Sequence, residues 1–363
     1  MKSILFNGDS KIELKKIEDN SVDMLCTDPP YGYSFMGKSW DKVLPDREIW
    51  KESFRVLKEG SFICVMAAPR TDVLWRICRD LEEAGFDMSF TNIEWVYHSG
   101  FPKASDTSKG IDKRLGVDRE VIDRIKQPYT ANKNTTFSAS ITKEKTNDGY
   151  REKVITSSNT DIGKKYEGSK LGFQPKPARE IIIVGMKPFK EKSYIDKVLN
   201  FEELPENIQR TYPLIQTPKP SKKEKDMGLS GDEKPIKETG GGRTYNARCK
   251  NCKKKFIGEK KYICSCENPE TDESVFVRKN NHPTIKPIKL MSYLITLFTR
   301  EGDYVLDCFM GSGTTGLACK LLNRNFIGID FTEEYYNIAH ERLEVSREEL
   351  IKTLKIKVQG ELF

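Results

Sequence analysis

Four consecutive residues, Asp28-Pro29-Pro30-Tyr31, follow the apolar run of residues 22–27. A proline restricts its own φ and pushes the residue before it into extended geometry. Two in succession therefore hold Asp28 and Pro29 in a stiff, extended backbone. The Asp28 carboxylate and the Pro29 carbonyl can then converge as two fixed acceptors. That arrangement suits an amine attached to an aromatic ring, which has two N–H donors and a lone pair delocalised into the ring. Acceptors placed for a pyramidal nitrogen localise the lone pair and let it attack an electrophile, a form of preorganised transition-state stabilisation. Tyr31 offers a face on which a flipped-out base can stack. Taken by itself, the tetrapeptide could also be a plain turn at a strand end.

A second group lies near the other end of the chain. In residues 304–318, YVLDCFMGSGTTGLA, the glycines Gly311, Gly313 and Gly316 have the G-x-G-x-x-G spacing between a strand-like run and a helix-like one. Such glycines let a ligand approach the backbone with no Cβ in the way. Asp330 ends the next strand-like run, where a carboxylate can accept hydrogen bonds from ribose hydroxyls. Nicotinamide, flavin and S-adenosylmethionine sites all share this spacing. Asp307, inside the turn, favours the last of these: it would repel a pyrophosphate and attract a cationic amino-acid tail.

The nine cysteines are unevenly spread. Cys26, Cys64, Cys78, Cys308 and Cys319 sit in apolar stretches and read as core residues. Cys249, Cys252, Cys264 and Cys266 crowd into a short segment, with C-x2-C and C-x-C spacing. Four soft ligands on two knuckle-like turns suit a structural, tetrahedral zinc with no open position for water. The alternative is four exposed thiols. Lysines 250, 253, 254, 255, 260 and 261 surround the cluster and could grip a phosphate backbone. Of the three histidines, His98 reads as packing or turn structure and His340 as solvated.

These groups need a scaffold to bring them together. Strand-like runs at 2–7, 22–27, 61–67 and 91–97 alternate with helical spacing at 46–57 and 71–84, which predicts a parallel sheet with helices on its faces. A strong strand pattern, EIIIVGMK at 180–187, interrupts a polar middle and is expected to pair antiparallel with 91–97 at the sheet edge. Residues 128–170 are rich in Thr, Ser, Asn and Lys and read as a loop or a segment ordered by a partner. Order returns in NNHPTIKPIKLMSYLITLFT (280–299), a helix start followed by apolar periodicity, then a strand at 304–308, a helix at 315–322, a strand at 325–329 and a helix from about 332. The pattern therefore predicts an α/β fold with one mainly parallel, seven-stranded sheet. The divisions are 1–99 and 281–363 as two halves of one core, 100–178 as a polar insert, 179–190 as a returning core strand and 191–280 as a recognition region. The net charge of +7 is concentrated in the middle, while the two ends are mildly acidic. That distribution suggests a polyanionic partner, nucleic acid before membrane.

With these residues in hand, the chain resembles the β-type amino-methyltransferases of DNA, the adenine-N6 or cytosine-N4 group. The resemblance rests on FNGDS (6–10), TDPPYG (27–32), HPTIKP (282–287), VLDCFMGSGTTGLA (305–318) and FIGID (326–330), and covers about half the chain. FMGKSWD (35–41) also resembles methylases of phages and prophages. The resemblance implies a Rossmann-like, S-adenosylmethionine-dependent sheet with an inserted target-recognition region, here carrying the zinc ribbon. It implies Asp28, Pro29, Pro30 and Tyr31 as the catalytic group acting on double-stranded DNA. Asp9 would contact the cofactor's adenine amine. Asp307, Phe309, Gly311, Gly313, Thr314 and Thr315, with His282, Thr284 and Lys286, would surround its methionine part, and Asp330 would hold the ribose.

Carbon-5 methylation of cytosine needs a thiolate, carried in that family by a Pro-Cys pair, and no cysteine here follows a proline. Asp28 at the first motif position points to adenine N6, because the cytosine-N4 enzymes more often carry Ser there. An RNA amine methyltransferase and an inactive zinc-ribbon DNA-binding module stay open as alternatives. So do monomer against homodimer and a companion restriction endonuclease. No apolar run is long enough for a membrane span, and the cysteine usage points to a reducing cytoplasm.

Overall fold

The structure, a computed structural model, describes residues 1–32, 43–97, 105–128, 150–171, 178–191, 214–230 and 284–354. It also describes short pieces within 193–199, 234–235, 247–249, 255–256, 271–272 and 277–278, and residues 280 and 282. The FMGKSWD segment, His98 and most of the lysine-rich segment around the cysteines lie outside the described residues.

The elements are, in chain order, β1 (Ser3–Asn7), α1 (Ser10–Glu13), β2 (Val22–Thr27), α2 (Arg47–Val56), β3 (Leu57–Ala67), α3 (Thr71–Glu83) and β4 (Ile93–Val96). Then come β5 (Ser105–Asp106), α4 (Thr107–Leu115), β6 (Glu120–Pro128), β7 (Tyr150–Ser157), α5 (Asp161–Lys165) and β8 (Lys170–Leu171). After β9 (Arg179–Met186), β10 (Leu214–Gln216) and α6 (Lys222–Lys225) lie the short strands β11 (Lys234–Pro235), β12 (Ala247–Cys249), β13 (Lys255–Phe256), β14 (Thr271–Asp272) and β15 (Val277–Arg278). The chain continues with α7 (Ile288–Phe298), β16 (Tyr304–Asp307), α8 (Thr314–Leu321), β17 (Asn325–Asp330), α9 (Glu333–Leu343) and α10 (Arg347–Leu354). By internal contacts the chain forms two units, Met1–Val96 with Glu180–Phe363, and Tyr97–Arg179.

The first unit is built on an eight-stranded sheet of order β1-β17-β16-β2-β3-β9-β4-β10. The pairs β1–β17, β17–β16, β16–β2, β2–β3 and β4–β10 are parallel, and β3–β9 is antiparallel. The inner strands β2, β3, β9, β16 and β17 are buried on both faces over most of their length, so they read as nearly continuous apolar runs. Leu25, Ile63, Ile183, Leu306 and Ile327 pack into one core with Trp50 and Val56 of α2 and Val73, Ile77 and Leu81 of α3. Helix α2 begins where the Asp46 side chain accepts from Glu48 N at 3.0 Å, an N-cap that satisfies one orphan donor.

Two details differ from the expected sheet. It has eight strands, because β10 adds to β4; at three residues, β10 is too short to show any alternation. The antiparallel strand also lies inside the sheet, between β3 and β4, with β10 outside the pair, so it does not form an edge hairpin.

In the second unit, part of the polar stretch is ordered. β6 and β7 pair antiparallel from Glu120↔Ser157 to Pro128↔Tyr150. Its interior is a polar network. The Asp112 side chain accepts from the Ser158 hydroxyl at 2.6 Å and the Thr160 hydroxyl at 3.0 Å, and pairs with Arg119 Nη1. Arg119 also donates to Ser108 Oγ and to the Thr156 carbonyl. Asp112, Ser108 and Ser158 are all buried. Buried polar groups of this kind are tolerated because they are bonded to one another.

Candidate active site

The winding of the sheet creates the site. From β16 the chain proceeds outward to β17, and from β2 it proceeds the other way to β3. The carboxyl ends of β16 and β2 therefore flank a topological switch point, where open α/β sheets bind ligands. Asp307 ends β16, Asp28 follows β2 and Asp330 ends β17.

Asp307 is buried, at 3% exposure. Its carboxylate accepts from the Thr27 hydroxyl at 2.6 Å, the Thr315 hydroxyl at 2.5 Å and Phe309 N at 3.1 Å. Burial pushes its pKa up to about 6; the three hydrogen bonds oppose the rise, and the charge of Asp28 adds to it. Thr27 and Asp28 are consecutive, so one hydroxyl joins the floor of the glycine turn to the acid of the proline motif. The Phe309 ring packs at 6.1 Å from that of Trp50.

Asp330 accepts from Gly311 N and from Thr332 N, each at 2.8 Å. Burial pushes this carboxyl up to about 7, against those two bonds and with the help of Asp307. The FNGDS segment closes over the same edge. Gly8 N donates to the Asp330 carbonyl at 3.0 Å, and the Ser10 hydroxyl donates to the Cys308 carbonyl at 2.6 Å. Asp9 caps α1 by accepting from Lys11 N at 3.0 Å.

The turn itself requires glycine. Gly311 has φ +51° and lies under His282, whose Nε2 would be 2.7 Å from a Cβ placed there. Gly313 has φ +75° and caps α8 against Ala339. The His282 ring stands edge-on to Tyr335 with centroids 4.4 Å apart, and Thr284 N donates to its Nδ1 at 3.4 Å. Beneath the turn lies Arg342, which is fully buried. Its guanidinium donates to the Ser312 carbonyl, to Ser312 Oγ at 3.0 Å, to Thr314 Oγ1 at 3.4 Å and to the Glu224 carbonyl at 3.3 Å. Burial lowers its pKa to about 10.

At the proline motif, Pro29 is buried, while Asp28, Pro30 and Tyr31 are half-buried. The Tyr31 hydroxyl donates to Asp28 Oδ1 at 2.7 Å and lies 3.5 Å from Glu180 Oε2. Lys286 Nζ pairs with Asp28 Oδ2 and stands 3.3 Å from Glu180 Oε2. Burial works against the Lys286 charge, but Asp28 and Glu180 outweigh it and hold the ammonium above its ordinary value. Lys286 therefore reaches the acid of the proline motif, where sequence reasoning placed it at the glycine turn.

The structure thus gathers Asp9, Asp28, Asp307, Phe309, Gly311, Gly313, Thr315, Asp330, His282 and Lys286 around one sheet edge, with Thr314 turned to Arg342. Sequence reasoning missed Thr27, Glu180 and Arg342. Glu180 had a signal, a charge opening a strand that is otherwise almost wholly apolar. Arg342 had none.

Cys26, Cys64, Cys308 and Cys319 are buried, and burial pushes their thiols up, as befits core residues. Cys249 closes β12, while Cys252, Cys264 and Cys266 lie outside the described residues. Among the described residues no group of three or more His, Cys, Asp or Glu is arranged to hold a metal ion, and no helix is long and apolar enough to cross a membrane.

A mainly parallel sheet with acids and a glycine turn at its switch point is an arrangement suited to a nucleotide-like ligand. The family model N6_N4_Mtase, described as DNA methylase, matches residues 22–341, and the chain belongs to that family. The Type II methyltransferase M2.DpnII of Streptococcus pneumoniae is 55% identical over 67 residues, 18% of this chain and 25% of its own length. M2.LlaDCHI of Lactococcus lactis subsp. cremoris, also a Type II methyltransferase, is 53% identical over 62 residues, 17% of this chain and 23% of its own. The chain thus matches about a quarter of the length of these relatives. Among solved structures, the cytosine-N4-specific PvuII DNA methyltransferase aligns over 98% of this chain and 92% of its own, with 16% identity and a TM-score of 0.48.

Proposed function

We propose that this protein transfers a methyl group from S-adenosylmethionine to the exocyclic amine of a flipped base in double-stranded DNA, adenine N6 before cytosine N4. The observation that carries the reading is the 2.6 Å bond from Thr27 to Asp307. It ties the residue next to the proline-motif acid to the acid of the glycine turn, so an amine at one and a methyl donor at the other would be brought together. Family membership supports the same chemistry. The Type II methyltransferases similar to this chain point to a cytoplasmic modification enzyme, with or without a companion restriction endonuclease.

The residues suit the cofactor. Asp307, buried, and Asp330, half-buried, are carboxylates with raised pKa values, and a cationic ammonium and ribose hydroxyls would complete their environment. Gly311 and Gly313 hold the tight, left-handed turn that ends beneath His282 and against Ala339. Asp9 and Thr315 lie along the same edge, with Phe309 as an apolar wall and His282 as a roof. When bound, S-adenosylmethionine supplies an electrophilic methyl group.

The rest is done by this chain. Asp28 and the Pro29 carbonyl accept the two N–H groups of the target amine and favour a pyramidal nitrogen. The Tyr31 ring stacks on the base. Positive charge that grows on the nitrogen faces the Asp28 carboxylate, which takes the surplus proton after transfer, directly or through water. The order follows from the high pKa of an aromatic amine, which resists deprotonation until the new bond has formed.

Spacing also supports a structural zinc on Cys249, Cys252, Cys264 and Cys266, and β12 is paired on both sides, by β13 and β14. Metal analysis of the purified protein, with a Cys264→Ser variant as control, tests this: stoichiometric zinc in the wild type alone bears it out.

The function is tested by methyl transfer from labelled S-adenosylmethionine to unmethylated bacterial DNA, followed by nucleoside mass spectrometry. N6-methyladenine from the wild type and loss of at least about 10³-fold in Asp28→Ala are expected. N4-methylcytosine would keep the mechanism and change the base, and absence of any labelled base would overturn the reading.

A further inference from the structure

Both oxygens of Asp28 are engaged. Tyr31 holds Oδ1 and Lys286 holds Oδ2. An incoming amine needs one of them as an acceptor. Each carboxylate oxygen keeps a further lone pair for the amine, but with Lys286 paired to Oδ2 the charge that a nitrogen turning positive would face is largely cancelled.

A buried ammonium cannot simply leave its carboxylate, because an unpaired charge in such a place is costly. Lys286 has a side-chain exposure of 8%, and its pocket offers a second carboxylate. Glu180 Oε2 is already 3.3 Å from Nζ and 3.5 Å from the Tyr31 hydroxyl. Both donors that occupy Asp28 can thus move the same way, onto Glu180. The backbone under Glu180 is rigid: the next residue, Ile181, pairs with Ala67 in the sheet interior.

We propose that Glu180 is a positioning residue that takes the Lys286 ammonium when the target amine takes Asp28. The proposal rests on the reading of Asp28 as the amine acceptor. With Glu180 charged, the trio Asp28, Lys286 and Glu180 keeps one net negative charge to face the nitrogen as it becomes positive. With Glu180 neutral, Lys286 stays on Asp28 and cancels its charge.

The test is a set of variants, Glu180→Gln, Glu180→Asp, Lys286→Met and the double Glu180→Gln/Lys286→Met, each assayed for single-turnover methyl transfer, cofactor affinity and KM for DNA. Glu180→Gln is expected to lose roughly 10²-fold in transfer rate, with cofactor affinity and KM nearly unchanged. Glu180→Asp keeps the charge and most of the rate. The telling result is the double variant, expected to run about tenfold faster than Glu180→Gln because the stranded ammonium is gone. A merely structural Glu180 would give no such recovery. A wild-type rate in Glu180→Gln, or a double variant no faster than the single, overturns the proposal. A wild type that labels no DNA base overturns the underlying reading and this one together; an active wild type without rescue overturns this one alone.

Discussion

Asp307 shows how one residue can be legible as chemistry but not as electrostatics. Its place in the glycine turn marks an acid where a phosphate site would have none, and that is visible in the chain. Its raised pKa is not, because desolvation and the charge of Asp28 come from burial and from a neighbouring strand. A cationic ligand binds the ionised acid. Affinity for S-adenosylmethionine should therefore weaken as pH falls through about 7 and 6, where Asp330, the ribose acceptor, and then Asp307, the acid facing the ammonium, take up protons. Titration calorimetry across pH 5 to 8 should show a loss approaching tenfold per pH unit below about 6 for each proton that must leave. Affinity independent of pH would show that Asp307 does not face the ligand's charge.

Among the elements, the glycine turn and helix α8 were the most readable. Glycine spacing after an apolar strand states a backbone requirement directly. Gly313 at φ +75° has the left-handed geometry that costs other residues about 1–2 kcal/mol. A Cβ there would also stand 3.0 Å from that of Ala339. Gly313→Ala should lower stability by at least that amount, read as an earlier urea midpoint at unchanged slope, and should weaken cofactor binding. Helix α9 holds the opposite case. Arg342 looks like a surface residue on a charged helix, yet it is buried under the turn and also donates to the carbonyl of Glu224 in α6. Hydrogen bonds to charged groups contribute about 1.5–3 kcal/mol each, so Arg342→Ala should cost more than one such bond. Arg342→Lys should not restore it, since one ammonium cannot serve both sides as a planar fork does. Thermal melts of the two variants check both statements.

Across the whole molecule, the two units differ in how they are held together. The sheet unit has an apolar core that periodicity reveals. Among the described residues of Tyr97–Arg179 the interior centres on Asp112, Arg119, Ser158 and Thr160, so a search for buried apolar faces passes over it and reads 128–170 as loop. Arg119→Met should expose amides of 120–128 and 150–157 to hydrogen exchange while those of β2, β3 and β16 stay protected. Uniform loss of protection across both would contradict a separate polar interior.

The sequence by itself determined the chemistry on offer: two prolines that stiffen an acid, glycines that open a turn, and alternating apolar runs that build a parallel sheet. These are local properties of backbone and period, carried by neighbouring residues. The order of the strands, the antiparallel strand inside the sheet and the meeting of Asp28 with Lys286 and Glu180 were decided only in three dimensions. Their partners lie 258 residues apart for Lys286 and Asp28, and electrostatics and burial act through space, which no local pattern records.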